Sequence, residues 1–151
     1  MIEPPKEPSK LIRLALKDLE ACQKDKDYII RMSGWHYPVE GKCHVCLAGA
    51  VISQTLGGKK EVDLFPNCFP LPWASALWAL DFFRRGAIEH GLLHLNILLD
   101  SERSSKVPRY VSMPLYPSPL EPMDEENRAD RIEKFMQEMN KLVDLLESHG
   151  L

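Results

Sequence analysis

Nothing in this 151-residue chain approaches the ~18–20 consecutive apolar residues that a membrane-spanning helix requires, so no membrane association is expected. Neither sign of charge dominates. Nineteen Lys and Arg stand against 22 Asp and Glu, a formal net charge of −3. Proteins that neutralise nucleic-acid phosphates carry a basic excess, so nucleic acid is not an expected partner. Cysteine is sparse: Cys22, Cys43, Cys46 and Cys68 are too few and too unevenly spaced for a secreted disulfide scaffold. The opening MIEPPKEPSK puts acids and prolines where a secretory signal has a basic start and an apolar run. A cytoplasmic location with reduced thiols is the expectation. Also missing are a phosphate-cradling Gly loop, a G-x-S-x-G elbow and an H-E-x-x-H pair, so no enzyme class and no cofactor is indicated.

What is present fits a globular protein, with 44% hydrophobic and 27% charged residues. The pattern predicts a single α+β domain, predominantly helical, with about five helices and two or three short strands. Residues 1–8 read as a flexible Pro/Glu/Lys arm ahead of a globular domain over 9–151. Ser9 is the expected N-cap of a first helix running to about Lys24. Its Leu11, Ile12, Ala15, Leu16, Leu19 and Cys22 fall on one arc at about 100° per residue. Tyr28 to Met32 reads as a strand, and Trp35-His36-Tyr37-Pro38 as an aromatic loop, since the residue before a proline avoids helical space.

Cys43 to Leu56 is the most apolar helix expected, apolar on nearly every side and stopped by Gly57-Gly58. Its Ala48-Gly49-Ala50 step leaves room for another backbone. Residues 59–72 hold three prolines and read as a connector with one short strand at most. Two helices are predicted next, Trp73 to Arg85 and Ala87 to Leu99, divided by the stop signal Arg84-Arg85-Gly86. Val107 to Met113 is a possible strand, interrupted by Pro108. An amphipathic helix over 124–148 closes the chain.

Four constellations could carry chemistry. Cys43-His44-Val45-Cys46 at a helix N-terminus would suit a low-pKa thiol. Without an apolar strand running into it, however, the pair reads as two buried structural cysteines. Cys43 and Cys46 with His90 and His94 have the ligand types of a zinc site, but the two histidines fall nearly opposite their own helix's apolar stripe. A metal is therefore the minority reading. Trp35, His36 and Tyr37 offer rigid aromatic contact area for a partner, or else a lid on the core. Arg84 and Arg85 could bind carboxylates or phosphate, or simply complement a helix dipole. Together with Trp35 they also allow a nucleotide-sequestering pocket.

The last helix has the strongest periodicity. Ile132, Phe135, Met139, Leu142 and Leu146 follow 3-4-3-4 spacing, with Met136 and Val143 widening the stripe. Such a stripe can fold back on its own domain or pair with a second copy. Two-fold dimers are the commonest assemblies, so self-association through this seam is the expectation. Its surroundings are acidic, nine acids against four bases over residues 121–151, an ordinary solvated face.

From Trp35-His36-Tyr37-Pro38 through Cys43–Gly49 the chain resembles small proteins encoded by bacteriophages and prophages. In these an aromatic-Pro loop precedes a C-x-V-C-L-A-G helix and an A-L-x-x-x-R-x-G segment follows, here Ala79 to Gly86. The likeness is loosest at Phe82-Phe83, covers about residues 28–92 and omits both ends of the chain. The pattern has no assigned chemistry, so no catalytic residue is implied. What it implies is a phage accessory factor in the host cytoplasm, binding or inhibiting a host protein without enzymatic activity. The different class kept beside this reading is a small metal- or thiol-dependent protein using Cys43 and Cys46.

Overall fold

The computed structural model describes residues 3–31, 35–89, 128–148 and 150–151. Within them lie four helices: α1 (Pro8–Lys24), α2 (Leu47–Gln54), α3 (Trp73–Glu89) and α4 (Arg128–Ser148). Three short strands, β1 (Tyr28–Ile30), β2 (His36–Val39) and β3 (Lys42–Val45), form one sheet in the order β1-β3-β2. The fold is α+β and predominantly helical. No helix among the described residues is long and apolar enough to cross a membrane.

Helix α1 begins two residues earlier than its sequence suggests. Pro8 occupies the first turn and Glu7 the N-cap, while Ser9 is buried inside the helix. Proline has its φ already set for a helix and no N–H to leave unsatisfied, so it starts the helix without a side-chain cap. Leu11, Ile12, Ala15, Leu16, Leu19 and Cys22 are buried along one face, as their spacing requires.

The sheet follows from a two-residue hairpin. Val39 pairs with Lys42, and the intervening Glu40 and Gly41 have φ of 51° and 81°. Positive φ at both central residues matches the right-handed twist of the strands they join. Pro38 sits within β2, which is tolerated because β2 is at the edge of the sheet, with β3 its one full partner among the described residues. The aromatic stretch is thus a strand from His36 onward rather than a loop. β1 runs parallel to β3, which then leads through Cys46 into α2.

The predicted helix over Cys43 to Leu56 is therefore two elements. Cys43 and Val45 lie on β3 and only Leu47–Gln54 is helical. All eight residues from Cys43 to Ala50 are buried. A strand and a helix that are both fully covered give one unbroken apolar run, which periodicity cannot divide. Gly57, at φ 67°, turns the chain away so that the Gly58 N–H reaches back to the Ile52 carbonyl at 2.8 Å.

Helix α3 runs without a break through Gly86 to Glu89, where two helices were expected. A glycine inside a helix costs only about 1 kcal/mol, less than the tertiary packing of a long helix supplies. The remainder of the second predicted helix, the possible strand over 107–113 and residues 124–127 of the last helix lie outside the described residues.

Helix α4 settles the fate of its stripe. Ile132, Phe135, Met139, Leu142 and Leu146 are all 5% exposed or less, joined in the core by residues of α1 and α3. Arg13 of α1 donates to Glu147 of α4 from both Nε (3.0 Å) and Nη2 (2.8 Å) at the rim of this packing. The seam expected to mediate self-association is spent inside its own chain. Folding back buries the stripe without the entropy loss of association.

Candidate functional site

Trp35 reaches the surface because α2 lets its backbone pass. The Trp35 carbonyl accepts the Cys46 N–H at 3.3 Å and lies directly over Gly49. A Cβ at position 49 would stand 1.5 Å from that oxygen. This is the close backbone approach that Ala48-Gly49-Ala50 permits. The Trp35 ring then meets Trp78 of α3 edge to face, with centroids 5.0 Å apart and planes at 78°. That geometry sets the positive edge of one indole against the negative face of the other.

Trp78 is in turn fixed from the other side. Its Nε1–H donates to Asn67 Oδ1 at 3.1 Å, tying α3 to the 3-10 turn at Pro66–Cys68. Yet the residue is 41% exposed, and the connector beside it shows Phe65 at 48% and Leu71 at 74%. Single exposed apolar residues are commonplace, but a Trp held on two sides, by Trp35 and by Asn67, and still open to solvent is not. The arrangement is pre-organised. The two indoles have already lost much of their freedom, which lowers the cost of binding.

The sequence-predicted aromatic group is split by the sheet. His36 is buried at 1% exposure, whereas Tyr37, pointing to the opposite face, is half-buried against the His44 ring at 5.1 Å. Trp35 alone of the three joins the Trp78 surface. Arg84 and Arg85 lie on α3, but their side chains fall outside the described residues, so the nucleotide pocket gains no geometry from them. His90 and His94 likewise lie outside.

The cysteines take separate roles. Cys43 is buried on β3, and desolvation pushes its thiol up to about 11. Cys22, also buried, is likewise raised to about 11, chiefly by desolvation. Cys46 serves as the N-cap of α2, its Sγ accepting the Gly49 N–H at 3.3 Å. The first cysteine of the C-x-x-C pair is therefore on a strand, not at the helix N-terminus that would activate it. Among the described residues no group of three or more His, Cys, Asp or Glu side chains is arranged to hold a metal ion. Cys68 differs from the other three and is exposed.

A polar seam that the sequence does not announce joins α1, β1 and α2. Ser53 donates to the Tyr28 hydroxyl at 2.6 Å, Gln54 to Cys22 Sγ at 3.6 Å, and Thr55 to Asp18 Oδ2 at 2.5 Å. Lys60 from the connector pairs with Asp27 at 2.9 Å and Asp25 at 3.8 Å, and its Nζ lies 5.0 Å from the Tyr28 ring centroid. Burial raises the Tyr28 phenol, so this group stays protonated and acts as a hydrogen-bonding anchor.

Against this geometry, comparison with family models, with curated proteins and with solved structures finds no match. The functional reading rests on the chain itself.

Proposed function

We propose that the chain is a non-enzymatic binding protein that docks a partner protein on the face formed by Trp35, Phe65, Leu71 and Trp78. The observation that carries this reading is the Trp35–Trp78 pair, rigidly held at 5.0 Å yet open to solvent through Trp78. Tryptophan is among the residues most enriched at interface hot spots. Phe65 and Leu71, both exposed on the connector that Asn67 ties to Trp78, would on this reading contribute the apolar surround of such a contact. The buried, high-pKa thiols of Cys22 and Cys43 weigh against thiol chemistry as the alternative.

The resemblance to phage-encoded proteins makes a host protein the first partner to seek, with inhibition or redirection of that protein as the outcome. Immobilised wild-type chain is used to capture proteins from a bacterial lysate, beside Leu71→Ala and Trp78→Ala chains. Leu71 is 74% exposed, so its truncation leaves the core untouched. A protein retained by the wild type and depleted on both variants supports the face. Equal retention on all three places the contact elsewhere.

A further inference from the structure

We draw no further inference here: the strongest candidate, the side-chain cluster of Lys60, Asp25, Asp27, Tyr28 and Ser53 where the connector meets the turn between α1 and β1, closes on itself through its own ion pairs and hydrogen bond, and nothing among the described residues points to a ligand for it.

Discussion

The carbonyl oxygen of Trp35 occupies the space that a side chain at Gly49 would need, 1.5 Å from the position of its Cβ. One glycine thus sets how closely the chain leading into β2 can lie on α2, and through Trp35 it sets where the Trp78 face forms. Gly49→Ala should destabilise the fold by roughly 1–3 kcal/mol, because a backbone carbonyl cannot yield as a side-chain tip can. Urea denaturation measures it. An unchanged midpoint would mean that the Trp35 backbone does not rest on α2.

The helix stripe of α4 belongs to the core of its own chain. Leu142→Ala should cost about 2–5 kcal/mol of stability as a cavity-forming truncation. It should leave the molecular mass of the folded protein unchanged in light scattering. A folded, equally stable variant that had fallen from dimer to monomer would return the seam to the role its 3-4-3-4 spacing first suggests.

Asp18 is buried and its carboxyl is raised above the usual value of 3.8, mainly by desolvation, although Thr55 hydrogen-bonds to it. A raised folded-state pKa means that the folded form binds the proton more tightly than the unfolded one. The stabilisation this gives is complete below the unfolded value and is lost as pH rises through the folded value. At neutral pH the ionised group is therefore a burden. Asp18→Asn, which keeps an oxygen to accept from Thr55, should raise the denaturation midpoint at neutral pH and flatten its dependence on acid pH. A variant less stable than wild type would show that the charge is favourable where it stands.

With the thiols of Cys22 and Cys43 pushed up to about 11, almost none is thiolate near neutrality. A thiol reagent should modify exposed Cys68 quickly, and Cys22, Cys43 and Cys46 only on denaturation. Mass spectrometry of the labelled chain assigns the sites. Rapid labelling of Cys43 in the native protein would revive the redox reading of the C-x-x-C pair.

Much of the fold can be read from the residues, and the failures have physical causes. The periodic faces of α1 and α4 are legible because each helix buries one side only, so burial is written at helical spacing. The β3–α2 junction is illegible because both elements are buried all round. β2 is hidden by Pro38, which argues for a loop unless the strand is known to lie at an edge. The candidate site was half visible. Trp35 stands out by residue type, but Trp78 reads as one more apolar residue of an apolar helix. Phe65 and Leu71 sit in a Pro-rich connector without any periodic pattern to say that they face water. Only tertiary placement brings Trp35 against Trp78.

The central claim is that this region is a docking face, and the most direct measurement is calorimetric titration of the captured partner with wild-type and Trp78→Ala chains. Circular dichroism confirms beforehand that both are folded. The account predicts that Trp78→Ala weakens binding by at least about tenfold, the loss of a hot-spot contact, while Lys24→Ala on the exposed end of α1 leaves affinity unchanged. Equal affinity for the wild type and Trp78→Ala would contradict it.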